Sequence, residues 1–192
     1  MVKENKILFI NSCIRKDSRT AVLSKAVLSS LKGEIQEVCL IKENITPITE
    51  AQLQFRLKSP AGGNYSAPVF RYAKQFADCD EIVIAAPYWD LCFPALLKLY
   101  LEAICVCGLT FFYGSNGSPN SLCKAKRLIY VTTSGGFIGT HNFGFEYIKA
   151  LAETFFGIEE NLFFCAEGLD ITGNNPEQIL KEAQDKILCE LT

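Results

Sequence analysis

Residues 6–31 read KILFINSCIRKDSRTAVLSKAVLSSL, and the succession of apolar run, polar loop and amphipathic stretch decides the fold class. Lys6 to Asn11 is short and nearly continuously apolar, the form a strand takes when helices cover both faces of its sheet. Ser12 to Thr20 is polar. Val22, Leu23, Ala26, Val27, Ser30 and Leu31 then form a mostly apolar stripe at helical spacing, so a helix is expected from about Arg19 to Leu31, with Gly33 as its stop. A strand followed by a returning helix is the repeating unit of a parallel sheet.

The pattern recurs along the chain. Ile35 to Ile41 reads as a second strand, and Lys42 to Asn64 has no sustained period, being broken by Pro47, Pro60, Gly62 and Gly63 around one short helix near Ala51 to Leu57. So long a connection suggests a functional lid or an intersubunit arm. Ser66 is placed to cap the next helix, with Pro68 in its first turn and Val69, Tyr72, Ala73 and Phe76 as its buried face. Glu81 to Ala86 is a third strand ending at Pro87. Phe93 to Val106 is helical and apolar around most of its circumference, which predicts burial on more than one side, in a crowded core or at a dimer interface.

Arg127 to Thr133 is the fourth strand, Phe145 to Phe155 a helix ending near Gly157, and Asn161 to Ala166 the fifth strand. Asn175, Pro176 and Gln178 supply a cap, a first-turn proline and a partial capping box for a last helix reaching about Cys189. Five strands alternating with helices specify an α/β open parallel sheet, and right-handed crossovers leave few topologies. The expected arrangement is a flavodoxin-like three-layer fold whose five-stranded parallel sheet has the order 2-1-3-4-5.

At 192 residues and 49% apolar content, residues 1–192 are expected to form a single domain. The 19 Lys and Arg against 21 Asp and Glu give a formal net charge of −2, which supplies no strong field for nucleic acid or anionic lipid. Lys124, Lys126 and Arg127 read as a wetted turn ahead of a strand. Neither a secretory leader nor a membrane-length apolar span is visible, so the expectation is a cytoplasmic protein with no nucleic-acid or membrane partner. The nine cysteines are scattered through apolar segments without paired ligand spacing. They read as reduced thiols packed as small hydrophobes; the lone Cys105-x-Cys107 and the single His141 make no metal site.

In sheets of this kind ligands bind beyond the carboxyl ends of the strands, where the strand order reverses. The first such loop offers Ser12, Ser18, Arg19 and Thr20 with the free amides of a helix start, a setting suited to a phosphate dianion; the plainer reading is that Ser18 or Thr20 only caps the helix. The loop has neither the G-x-G-x-x-G of a dinucleotide fold nor a P-loop. After the third strand, Pro87, Tyr88, Trp89, Asp90 and Leu91 bring two aromatics and a carboxylate that suit the edge of a planar heterocycle, although Trp89 also suits a subunit contact. After the fourth, Ser134, Gly135, Gly136 and Phe137 place a glycine pair where backbone closely approaches a ring, or simply turns.

With these stretches in view, the chain resembles the flavodoxin-like NAD(P)H-dependent flavin oxidoreductases that include the bacterial azoreductases and quinone reductases. The likeness covers nearly the whole chain and is closest in Ala86-Pro-Tyr-Trp-Asp-Leu-Cys-Phe-Pro-Ala95, Gly108-Leu-Thr-Phe-Phe-Tyr113 and Thr133-Ser-Gly-Gly136. The resemblance implies bound FMN, with Ser12, Ser18, Arg19 and Thr20 toward its phosphate, Pro87 to Leu91 along its ribityl chain and ring edge, and Ser134 to Phe137 on the other side of the flavin. It also implies NADH or NADPH as donor, ping-pong transfer of a hydride to a quinone, azo or nitroaromatic acceptor, and a homodimer with flavin sites at the interface. No side chain need be a catalytic nucleophile or a metal ligand, because the flavin carries the redox chemistry. Tyr113, Phe137 and His141 are candidates to line the substrate side.

Departures from the family pattern are Asp90 for a common asparagine, Cys92 for glycine, and Phe112 and Ser134 where arginines are frequent. A carboxylate cannot donate the hydrogen bond that an amide can. The two lost arginines remove cations suited to a nicotinamide nucleotide or an anionic acceptor. Two other readings share the fold: a flavodoxin-like single-electron carrier, against which the weak net charge counts, and an FMN-binding regulatory dimer.

Overall fold

The computed structural model describes residues 4–58, 63 and 65–191; Pro60, Gly62 and Asn64 of the long connection lie outside them. Strands β1 (Lys6–Asn11), β2 (Glu34–Cys39), β3 (Glu81–Ala85), β6 (Arg127–Thr133) and β7 (Glu160–Ala166) form one sheet in the order β2-β1-β3-β6-β7. Every pairing in it is parallel. Counted along this sheet alone the order is 2-1-3-4-5, the expected choice among the few topologies that the alternation of elements leaves open.

Period-two alternation explains the three layers. Ile7 and Phe9 of β1, Val83 and Ala85 of β3, and Ile129 and Val131 of β6 face helices α1 (Arg19–Ser30) and α6 (Pro176–Leu191), meeting Leu23, Val27 and Ile187. The alternate residues Leu8, Ile10, Ile82, Ile84, Leu128 and Tyr130 face the opposite layer of α3 (Arg71–Asp78), α4 (Ala95–Ile104) and α5 (Phe143–Leu151). Ile82 and Ile84 are almost wholly buried, and each such side chain contributes about 1.5–3 kcal/mol of transfer free energy. Burial on both faces is why the three central strands read as continuous apolar runs.

Several ends differ from expectation. Helix α1 stops at Ser30 with Leu31 extended, and Gly33 serves a different purpose: a Cβ there would collide with the backbone carbonyl of Asn5. The third helix begins as a 3-10 turn over Pro68–Phe70 whose cap position is Ala67, not Ser66, and Phe70 rather than Val69 is fully buried. Asn175 does cap α6, its Oδ1 accepting from the N–H groups of Glu177 and Gln178 at 3.1 and 3.2 Å. The Gln178 side chain, however, reaches forward to Glu182 at 2.9 Å and does not close a capping box. Helix α5 runs on as a π turn over Ala152–Phe156 and ends at Gly157, whose φ of 62° is the left-handed cap that glycine adopts without cost.

A short antiparallel hairpin, β4 (Phe111–Tyr113) with β5 (Pro119–Ser121), was not expected; three-residue strands are too short to show a period. Helix α2 (Glu50–Lys58) has no buried residue, and Arg56 reaches from it to the carbonyls of Glu102 and Cys105 at the end of α4. Helix α4 buries Leu97, Tyr100, Leu101 and Ile104 on one side and leaves Leu96, Leu99 and Ala103 half-buried. Among the described residues, no helix is long and apolar enough to cross a membrane.

Candidate functional site

The carboxyl ends of the central strands converge where the order reverses between β1 and β3, with β6 and β7 completing the edge. Beyond β1 the chain is pinned to its neighbour, Ser12 N–H donating to Ala85 O at 2.9 Å, before it opens into the polar loop. Ser18 is the N-cap of α1: its Oγ accepts from Ala21 N–H at 3.3 Å while its backbone stays extended. The first N–H groups of α1 have no partner within the helix and, with the helix dipole, favour an anion at this end. Thr20 and Thr133 share a buried hydroxyl bond of 2.6 Å that joins α1 to the end of β6.

Beyond β3, Ala86 N–H and Tyr88 N–H continue the ladder to Val131 O and Thr133 O at 3.0 Å each. The chain then folds into a tight turn in which Trp89 and Cys92 exchange backbone bonds of 2.9 and 2.8 Å. Both central residues are left-handed, Asp90 at φ 49° and Leu91 at φ 68°, the pattern of a type I′ turn. Aspartate tolerates that region, whereas leucine pays about 1–2 kcal/mol for it. Leu91→Gly is therefore expected to raise stability by about 0.5–1 kcal/mol, net of glycine's larger entropy loss. Urea unfolding checks this; a lower midpoint would mean that Leu91 packing outweighs the strain.

Beyond β6, the segment from Ser134 is clasped to the segment after β7. Leu169 N–H donates to Ser134 O at 3.2 Å, Asp170 N–H to Gly135 O at 2.9 Å and Gly168 N–H to Gly136 O at 3.0 Å. Glu167 Oε2 accepts from Ile138 N–H at 2.8 Å, and Tyr88 Oη donates to His141 O at 2.8 Å, tying the β3 and β6 loops together.

These loops enclose a polar pocket of about 330 Å³, bounded by Arg15, Ser18, Arg19 and Thr20 on one side, Pro87, Tyr88 and Trp89 on another, and Thr133, Ser134 and Gly135 on a third; Ile14, Asp17, Leu169 and Asp170 complete the wall. Of the residues expected from sequence, eight therefore meet in one cavity. Ser12 does not line it: the residue is 1% exposed, and among the described residues its buried Oγ has no hydrogen-bond partner. Asp90, Leu91, Gly136 and Phe137 also lie outside the wall. Leu91 and Phe137 are exposed beside it, Phe137 at 71%. His141 is exposed, its ring 5.7 Å from that of Phe143.

The sequence reading passed over Asp170, whose carboxylate accepts from Arg19 Nη1 at 2.6 Å across the pocket wall. The signal was available: the strand-end rule applied to β1, β3 and β6 applies equally to β7. A larger groove of about 850 Å³ runs along β2 and α3 and shares no residue with this pocket.

All nine cysteines are free thiols. Burial pushes Cys79 and Cys123 up to about 12, so they pack as small apolar groups and are not nucleophiles at neutral pH. Burial also raises Cys13, partly offset by a side-chain hydrogen bond with Ser18. Among the described residues, no three His, Cys, Asp or Glu side chains gather to hold a metal ion.

A helix start beneath a reversal in strand order, with aromatic and glycine-bearing loops on either side, defines a doubly wound α/β protein built to hold an anionic heterocyclic ligand. A model of the family described as flavodoxin-like fold matches residues 5–191. The chain is 33% identical over 194 residues to an FMN-dependent NADH:quinone oxidoreductase 2 of Clostridium acetobutylicum, covering 95% of this chain and 96% of the relative. It is 34% identical over 193 residues to an FMN-dependent NADH:quinone oxidoreductase of Clostridium beijerinckii, again covering 95% and 96%. A crystal structure of azoreductase from Bacillus anthracis superposes with a TM-score of 0.85 at 22% identity, covering 97% of this chain and 98% of that one, which is a likeness of fold. The chain belongs to this flavodoxin-like family, and the relatives it matches at 33% and 34% identity are FMN-dependent NADH:quinone oxidoreductases.

Proposed function

We propose that the protein is an FMN-dependent NAD(P)H oxidoreductase that transfers two electrons to a quinone, azo or nitroaromatic acceptor by a ping-pong route. The observation that carries this reading is the pocket itself, in which the α1 start, the aromatic β3 loop and the glycine-bearing β6 loop share one cavity at the strand-order reversal. The residues suit FMN. Arg15, Arg19, Ser18, Thr20 and the first amides of α1 are donors for a phosphate, and the partnerless Oγ of Ser12 is a further polar atom at the same strand end. Pro87 to Leu91 and Ser134 to Phe137 would flank the ribityl chain and ring.

Bound in this pocket, FMN would supply the hydride-transfer chemistry between a nicotinamide and the second substrate. The chain's part is to bind, orient and exclude. The Tyr88–His141 bond ties the two ring-side loops together, and the Glu167–Ile138 bond holds the β6 loop on the segment after β7. The type I′ turn at Asp90 and Leu91 fixes where backbone amides of the β3 loop point. Exposed Phe137 offers an apolar surface to an aromatic acceptor. Neither Phe112 nor Ser134 supplies a cation, which favours a neutral quinone over an anionic dye.

The same reading treats residues 1–192 as one FMN-binding domain in a cytoplasmic homodimer with its flavin sites at the interface. The outer residues of α4 and the exposed Phe143 and Tyr147 beside the pocket loops supply apolar surface for a second copy. The test is FMN titration followed by initial rates with NADH or NADPH and a small quinone. Saturable FMN binding and parallel double-reciprocal lines are expected. Protein that stays colourless and fails to bind FMN would overturn the reading.

A further inference from the structure

Asp170 connects three of the segments around the pocket. Its N–H donates to Gly135 O at 2.9 Å, holding the β7 loop on the β6 loop, and its Oδ1 accepts from Arg19 Nη1 at 2.6 Å, reaching the first turn of α1. Its other oxygen fills the space beside Gly135 in which a Cβ would stand, so the carboxylate is seated by a position that lacks a side chain. Asn174 steadies this loop from behind, its Nδ2 donating to Gly168 O at 2.7 Å.

Two hydroxyls near the helix start are also engaged within the protein. Ser18 Oγ caps Ala21, and the Thr20 hydroxyl bonds to Thr133. The charged residues of the wall are Arg15 and Arg19 against Asp17 and Asp170, two cations balanced by two anions. A phosphate dianion entering this pocket meets no net positive charge from its wall, and it competes for a guanidinium that already has a carboxylate.

We infer that Asp170 sets the affinity for the phosphate of the flavin, acting as an internal competitor for Arg19; the inference rests on FMN being the ligand. Both partners of the ion pair are substantially exposed, 41% and 68% for their side chains, so the pair itself holds weakly and yields to a ligand. The carboxylate remains after yielding Arg19, seated against Gly135, and repels the dianion from close range. Affinity is thereby held below what the helix start and two arginines alone would give.

The test is the variant Asp170→Asn, which keeps the shape beside Gly135 and removes the charge. FMN and riboflavin are titrated separately into wild type and variant, followed by flavin fluorescence. The Kd for FMN should fall about tenfold, the size of a close charge–charge contribution in a partly wet site, and the gain should shrink as salt rises. The Kd for riboflavin, which has no phosphate, should stay constant. An unchanged or weakened FMN affinity would overturn the inference, as would an equal change for both flavins, which would mean that Asp170 acts through loop packing. If neither flavin binds wild type or variant, the FMN reading itself falls.

Discussion

Arg19→Glu is expected to weaken FMN binding by about two orders of magnitude, roughly 2.7 kcal/mol, while leaving the fold nearly untouched. Arg19 is the first residue of α1, and its guanidinium stands in the pocket wall. Reversing its sign removes a fork suited to a phosphate and adds a third carboxylate to a wall that already has Asp17 and Asp170. Folding should change by less than about 1 kcal/mol, because an acid in the first helical turn complements the dipole and the lost ion pair is exposed. Riboflavin binding should be far less affected than FMN binding. Equal losses for both flavins, or a melting temperature that falls steeply, would show that Arg19 serves the fold rather than the ligand.

The second large effect is expected at the opposite edge of the sheet. Glu81 is only 5% exposed, and its Oε1 accepts from Arg127 Nε and Nη2 at 2.7 Å each. The two residues are register partners on adjacent strands β3 and β6, so the pair is fixed by the sheet itself. Among the described residues, Arg127→Ala leaves the buried carboxylate with Asn5 Nδ2 at 3.5 Å as its remaining partner, and stranding a charge in this way costs about 3 kcal/mol. For a protein of this size the melting temperature should drop by roughly 10 °C. The double variant Glu81→Leu with Arg127→Met should recover most of the loss, since a buried pair exchanges for apolar groups at little cost. A single variant within 1 kcal/mol of wild type would show that water solvates Glu81 in the native state. FMN affinity should be unchanged in every variant that folds, because this pair lies at the amino ends of the strands.

The sheet was legible because three of its strands are covered on both faces. Lys6–Asn11, Glu81–Ala85 and Arg127–Thr133 carry their burial in composition alone, whereas β4 and β5 are too short to alternate visibly and were missed. Gly33 was legible as glycine, but its role depends on where Asn5 lies across the sheet, which no local pattern reveals. At the site, the strand-end rule found the three loops but did not reveal which way their side chains turn. Ser12 points into the protein, and Leu91 takes a left-handed conformation that no leucine advertises. Asp170 went unseen because its partner Arg19 is 151 positions away, and because nothing in the Leu169-Asp170-Ile171 stretch marks a carboxylate that faces a pocket. Tyr88 was read for its ring, whereas its hydroxyl also clasps the loop at His141.

Anaerobic stopped-flow mixing of the FMN-loaded protein, first with NADH or NADPH and then with one equivalent of a small quinone, tests the central claim most directly. The expected result is bleaching of the flavin absorbance by a nicotinamide and its full return on adding the quinone, one quinone consumed per flavin and no partner protein required. Flavin that binds but is bleached by neither nicotinamide, or that once bleached returns only with a protein partner, would contradict it.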